Sequence, residues 1–112
     1  DESATAIAKS IISSNLVKTA IHGADANWGR IITAIGYSGE SLDPDKVSIY
    51  LGDILVVENG VPYPFDEDAA KEYLLEDEIT ILAKLGDANG KATAWGCDLS
   101  YEYVRINASY RT

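Results

Sequence analysis

The sequence has 112 residues, of which 46% are apolar, and it carries 18 acidic and 9 basic side chains for a net charge of −9. This length suits one domain, residues 1–112, with a core large enough to fold alone. The acidic balance argues against binding to nucleic acid or to an anionic membrane, because both require clustered Lys and Arg. The single Cys97 excludes an internal disulfide and suits a reducing compartment.

The first segments in chain order favour helices. In 3–14 the apolar residues recur at helical spacing, behind a cap at Asp1 or Ser3. Segment 16–21 is apolar but short, so it fits both a strand and a turn of helix. The loop GADAN follows, and Asp25 or Asn27 can cap a second helix. The residues that share its apolar face are Trp28, Ile31, Ile32 and Ile35, and Gly36 is predicted as its C-cap.

The middle of the chain predicts a hairpin and a further helix. Residues 47–51 alternate between apolar and polar side chains, Gly52-Asp53 can form a turn, and residues 54–57 can form the returning strand of the hairpin. Asn59-Gly60 marks a second tight turn, and the proline-rich VPYPFDED after it is unsuited to a central strand. Asp66 is expected to cap a helix near 67–75. The residues predicted to be buried in this helix are Ala69, Ala70, Tyr73 and Leu74.

The last third of the chain predicts two strands and one ambiguous segment. EITILAKL and KATAWGC are predicted strands on either side of a GDANG turn. Segment 100–110 fits either a helix capped by Ser100 or a strand with Val104 and Ile106 facing inward, and the helix is favoured. The predicted class is therefore α+β, with helices packed on a mainly antiparallel sheet.

Few residues carry recognisable chemistry. There is no Cys/His cluster for a metal, and His22 and Cys97 are each interpreted as structural. The GADANWGR stretch could offer backbone N–H groups to a carboxylate, although a Trp-anchored capping loop is favoured. Asn107 lies among apolar positions of the predicted last helix, and a buried carboxamide there would need backbone or ligand partners. The residue types alone thus favour an acidic module that binds a small molecule or a protein.

Several motifs resemble one known family. The stretches LVKTA, GADANWGR, ATAWGCDL and the terminal YVRINASYRT occur in the order found in the bifunctional ornithine acetyltransferase / N-acetylglutamate synthase family. The resemblance covers nearly the whole chain. It implies transfer of an acetyl group from N-acetylornithine to glutamate in arginine biosynthesis, and from acetyl-CoA in the bifunctional members. No resident cofactor is implied, and acetyl-CoA would be a substrate.

The resemblance also implies a two-chain enzyme. The family's precursor cleaves itself before a threonine, which becomes the nucleophile at the start of the β chain, while the α chain supplies an oxyanion hole. That threonine would precede Asp1, so this chain is interpreted as the C-terminal domain of β, processed or cut from a longer protein and inactive alone. The implied partners are the rest of β and the α chain, in a heterotetramer of two α and two β chains. The implied location is the cytoplasm, or the mitochondrial matrix in a eukaryote.

Two residues are carried over from the family as substrate contacts. The family's substrate-binding asparagine and terminal threonine, five positions apart, match Asn107 and Thr112. Asn107 would hold polar atoms of the amino-acid substrate, and Thr112 would contribute its hydroxyl or carboxylate. The resemblance thus implies that the last residues close over the substrate, with no catalytic residue within these 112 positions.

Overall fold

The computed structural model describes residues 2–39, 44–76, 78–86, 91–98 and 103–109. Four helices occur in these ranges: α1 (Glu2–Ser13), α2 (Asn15–His22), α3 (Trp28–Gly36) and α4 (Glu67–Leu74), with a 3-10 turn at Pro44–Lys46. None of the helices in the described ranges is long and apolar enough to cross a membrane.

Within the described ranges, six strands form one sheet in the order β3-β2-β1-β4-β5-β6, and every neighbouring pair is antiparallel. The strands are β1 (Ser48–Leu51), β2 (Ile54–Glu58), β3 (Val61–Pro62), β4 (Ile79–Lys84), β5 (Lys91–Asp98) and β6 (Tyr103–Ser109). This arrangement confirms the predicted α+β class with a mainly antiparallel sheet.

The first helix forms as its apolar spacing predicts. Ile7, Ala8 and Ile11 are each at most 1% exposed, so one stripe of α1 faces the core. The helix lies against β5, β6 and α3. The Ser10 hydroxyl donates a hydrogen bond to the carbonyl of Ala34 and so ties α1 to α3.

The short segment that the sequence left ambiguous is helical. Ser14 caps α2, since its hydroxyl accepts a hydrogen bond from the backbone N–H of Val17 at 3.2 Å. Val17, Ala20 and Ile21 are buried, and their three- and four-residue spacing fits a helix rather than a strand. A good cap and one buried stripe therefore decide the structure of this eight-residue segment.

The predicted end of the next helix is wrong. Gly36 is the last helical residue of α3, and the cap is Tyr37 in a right-handed conformation. The Ser38 hydroxyl donates a hydrogen bond to the carbonyl of Ile35 at 2.7 Å and so satisfies one of the last carbonyls of the helix. The left-handed glycine is Gly39, with φ +78°. The helix thus ends through backbone and serine hydrogen bonds before the chain reaches a glycine turn.

Both predicted tight turns are confirmed. Gly52 has φ +60° in the β1–β2 turn, while Asn59 and Gly60 have φ +49° and +80° in the β2–β3 turn. Two successive positive φ values match the right-handed twist of a hairpin. A Cβ on Gly60 would lie 2.6 Å from the Pro44 carbonyl oxygen, so glycine is required there. Pro62 then lies on the outermost strand, where a missing N–H is tolerated.

Asp66 caps α4 as predicted, since its carboxylate accepts hydrogen bonds from the backbone N–H groups of residues 68 and 69. Two of the four residues predicted to be buried are buried, Ala70 and Leu74. Ala69 is exposed, contrary to prediction, and Tyr73 is half-buried. The Tyr73 hydroxyl accepts a hydrogen bond from the backbone N–H of Thr80 at 2.7 Å and so joins α4 to the start of β4.

The favoured helix at the end of the chain is wrong, because β6 is a strand that pairs with β5. Val104 lies opposite Gly96, and Ile106 lies opposite Ala94. These β5 residues in turn lie opposite Ile79 and Ile81, both buried. The register therefore places the two apolar residues of β6 in the rows of the core, as the strand alternative required. The predicted GDANG turn falls largely in 87–90, outside the described residues.

Candidate functional site

Asn107 lies on the outermost described strand at one edge of the sheet. It stands opposite Thr93 in β5, which stands opposite Leu82 in β4, and Leu82 stands opposite Tyr50 in β1. This row alternates with a row that contains the buried Ile81. The prediction that Asn107 lies on the stripe of a helix is therefore wrong. Asn107 lies at the end of a row of paired residues that crosses the four strands from β6 to β1.

The second predicted substrate contact, Thr112, lies outside the described residues. Its pairing with Asn107 as a substrate contact stays a prediction.

The α2–α3 loop has the geometry of a structural cap. The Asn27 side chain accepts a hydrogen bond from the backbone N–H of Arg30 at 3.1 Å. The Arg30 guanidinium donates to the carbonyl of Leu16 at 3.0 Å and so fastens α3 to the start of α2. Trp28 packs against the core. The Asn27 oxygen and the loop's cation are therefore both engaged within the protein.

A depression beside this loop leaves no space for a water molecule. It is lined by Val17, Ala20, Ile21, Asp25, Ala26, Asn27, Ile31, Leu51 and Leu74. Ala24, next to it, is buried with φ +54°, and the backbone N–H of Asp25 bonds to the Ala20 carbonyl at 2.7 Å. These contacts support the capping-loop interpretation over a carboxylate site.

Replacing Asn27 with alanine should lower the free energy of unfolding by about 1 kcal/mol, because α3 loses its N-cap. Asn15→Ala is the matched control, since Asn15 is exposed and caps no helix. Denaturant unfolding of both variants would measure the difference. Equal midpoints for the two variants would show that the Asn27 cap contributes nothing.

Metal ligands do not cluster in the part of the chain that the structure describes. No three His, Cys, Asp or Glu residues there lie close enough to hold an ion. His22 is exposed at the end of α2. Its interpretation as a structural residue stays a prediction.

A family model described as the ArgJ family matches residues 1–112. The chain belongs to the ArgJ family. It is 56% identical over 109 residues to the arginine biosynthesis bifunctional protein ArgJ of Bacillus subtilis, covering 97% of this chain and 27% of that protein. It is 57% identical over 112 residues to the ArgJ protein of Oceanobacillus iheyensis, covering 100% of this chain and 28% of that protein.

An ArgJ crystal structure has the same fold. The arginine biosynthesis bifunctional protein argJ of Bacillus halodurans matches with a TM-score of 0.80 and 48% identity, over 92% of this chain and 49% of the crystallised chain. The chain spans little more than a quarter of the length of the ArgJ relatives it matches. The family resemblance read from the motifs is thereby confirmed.

The row of paired residues from Tyr50 to Asn107 was not predicted from the sequence. Its members come from four strands, and two of them are separated by more than fifty positions in the chain. Alternation within β4 and β5 was visible in the sequence. The register that joins the strands was not, because it depends on long-range pairing.

Proposed function

We propose that the chain forms the C-terminal, substrate-binding domain of the β chain of an acetyltransferase in arginine biosynthesis. The enzyme moves acetyl from N-acetylornithine to glutamate, and in bifunctional members from acetyl-CoA to glutamate. The observation that carries this proposal is the ArgJ family match over residues 1–112, together with relatives named arginine biosynthesis bifunctional proteins.

The chemistry follows a two-step covalent scheme. The hydroxyl of a threonine outside this chain attacks the acetyl carbonyl of N-acetylornithine, an acetyl ester forms, and ornithine leaves with the proton. The amine of glutamate then attacks the ester, so that N-acetylglutamate leaves and the threonine hydroxyl is restored. Asn107 and Thr112 hold the amino-acid part of each substrate, while donors from the α chain stabilise the tetrahedral oxyanion.

Cleavage into two chains is supported by a comparison of lengths. The same domain covers 27% of the full Bacillus subtilis relative but 49% of the crystallised Bacillus halodurans chain. The crystallised chain is therefore much shorter than a full-length relative, as a self-cleaved β chain would be. The partners are the remainder of β and the α chain, arranged as two α and two β chains in the cytoplasm.

The proposal predicts that the 112-residue chain has no acetyltransferase activity, because the nucleophile lies outside it. The full self-processed enzyme should convert N-acetylornithine and glutamate to ornithine and N-acetylglutamate under the same conditions. Product formation measured by mass spectrometry for both proteins at equal concentration tests this. Acetyl transfer by the chain alone would place the nucleophile within these residues and refute the assignment.

A further inference from the structure

The turn between β2 and β3 carries a chemically reactive pair, Asn59-Gly60. Glycine has no Cβ, so nothing hinders an attack by its backbone nitrogen on the side-chain carbonyl carbon of the asparagine before it. Both residues are exposed to solvent. The turn therefore has the two reacting groups, and the access to water, that deamidation of an asparagine requires.

The reaction needs no reactant from outside except water. The Gly60 nitrogen loses its proton to solvent base and forms a bond to Cγ of Asn59. The bond from Cγ to the side-chain nitrogen breaks, and that nitrogen leaves as ammonia, so that a five-membered succinimide ring remains. Water then adds to one of the two ring carbonyls and breaks its bond to the ring nitrogen. Opening at one carbonyl gives aspartate, and opening at the other gives isoaspartate.

Two hydrogen bonds hold the peptide groups on either side of the Asn59 Cα. The backbone N–H of Gly60, which carries the reacting nitrogen, donates to the carbonyl of Val47 at 2.8 Å. The backbone N–H of Asn59 donates to the hydroxyl of Ser48 at 3.0 Å. Loss of the Gly60 proton, the first event of the reaction, would remove the donor from the Val47 carbonyl, so this hydrogen bond opposes the reaction.

The backbone conformation of Asn59 also separates the reacting atoms. Asn59 has φ +49°, in the left-handed region, where ψ is typically about +47°. At that ψ the nitrogen of the next residue lies on the opposite side of the Cα–C bond from Cβ. Ring closure needs the nitrogen and Cβ on the same side, so the peptide between residues 59 and 60 must rotate before it can react.

The neighbouring 3-10 turn blocks this rotation. A Cβ on Gly60 would lie 2.6 Å from the Pro44 carbonyl oxygen and 2.9 Å from Cα of Asp45, so the backbones are in close contact. The backbone N–H of Val47 donates to the Pro44 carbonyl at 3.3 Å and fastens the 3-10 turn to the same segment. The 59–60 peptide can therefore rotate only when the β2–β3 turn moves away from residues 44–48.

We propose that Asn59 is a deamidation site whose rate of modification is set by the opening of the β2–β3 turn. In the closed turn the reacting nitrogen is hydrogen-bonded and faces away from the carbonyl carbon. Only the open turn reacts, so the free energy of this local opening controls the rate. The inference is independent of the proposed function, because it rests only on contacts within residues 44–60.

Modification would prevent the turn from closing again. Isoaspartate adds one carbon atom to the backbone of a two-residue turn whose length sets the register of β3 against β2. Aspartate adds a negative charge next to Glu58 in a chain whose net charge is already −9. The isoaspartate form is thus expected to lose the pairing of β3 with β2.

Peptide mapping by mass spectrometry tests the proposal on the full-length, self-processed protein, incubated at mildly alkaline pH. Fragmentation separates modification at Asn59 from modification at the second Asn-Gly pair of the chain, Asn89-Gly90. The rate of modification at Asn59 should be at least about tenfold slower in the native protein than in denaturant.

A pair of serine variants tests the role of the closed turn. Ser48→Ala removes the acceptor of the Asn59 N–H, and it should speed native modification at Asn59 roughly three- to tenfold. Ser38→Ala is the matched control, since the Ser38 hydroxyl bonds to the Ile35 carbonyl at the end of α3. The control should leave the rate at Asn59 within a factor of about two of the wild-type rate.

Three results would overturn the proposal. An unmodified Asn59 after incubation in denaturant would show that the pair is not reactive. Equal rates in the native and the denatured protein would show that the closed turn gives no protection. Equal acceleration by the two serine variants would show that a general loss of stability, and not the opening of this turn, sets the rate.

Discussion

Replacing Ile49 with alanine is expected to lower the free energy of unfolding by about 2–5 kcal/mol. Ile49 lies in β1, between β2 and β4, and its side chain is 0% exposed. It stands opposite Val57 on one side and Ala83 on the other, and both are 0% exposed. Truncation there removes buried methyl and methylene groups and leaves a cavity that the paired strands cannot close.

Two control variants separate packing from a general effect of substitution. Ile49→Val keeps the β-branched shape and should lower the free energy by only about 0.5–1.5 kcal/mol. Leu75→Ala removes an apolar side chain that is 67% exposed, and it should change stability by less than about 0.5 kcal/mol. Urea unfolding of the three variants gives the comparison. A loss for Ile49→Ala no larger than for Leu75→Ala would contradict the position of β1 at the centre of the sheet.

Replacing Asn107 with alanine should lower kcat/KM of the full two-chain enzyme on the order of 10- to 100-fold, the loss expected for one hydrogen bond to a charged substrate group. The effect should appear mainly in KM, because the amino-acid part of the substrate is held in both the ground state and the transition state. Asn15→Ala is the matched control on an exposed helix position. Steady-state kinetics with N-acetylornithine and glutamate as varied substrates would measure it.

Local signals in the sequence were sufficient for most of the fold. The α1 stripe, the Asp66 cap and the Asn59-Gly60 turn each depend on residues within a few positions of one another. The α1 stripe requires one buried helical face, the Asp66 cap requires one side-chain acceptor, and the Asn59-Gly60 turn requires two residues that adopt positive φ. Such features were predicted correctly because no distant part of the chain is needed to form them.

The errors occur where distant partners decide the structure. Segment 103–109 carries aromatic and apolar residues that satisfy a helical stripe and a strand equally well. Its pairing with β5 settles the outcome, since Ile106 and Val104 then fall in rows that contain buried β4 residues. The α3 terminus was mispredicted for a different reason: Ser38 and the backbone satisfy the last carbonyls before a left-handed glycine is needed.

The candidate site was only partly predictable from the sequence. Asn107 was first singled out as a carboxamide among apolar positions, but its role as a substrate contact, and Thr112 altogether, came only from the family resemblance. The neighbours of Asn107 in its row, Thr93 and Leu82, became visible only with the sheet register. The nucleophile and the oxyanion donors belong to other parts of the proposed enzyme, so no reasoning on these residues could supply them.

The most direct test of the account compares three forms of the full, self-processed enzyme: wild type, Asn107→Ala and a form that lacks Thr112. Acetyl transfer from N-acetylornithine to glutamate is measured over a range of both substrates. If the last residues close over the substrate, both altered enzymes will self-process normally and show a raised KM or a lowered kcat/KM. Wild-type kinetics in both altered enzymes would contradict this and would make the end of the chain a structural anchor.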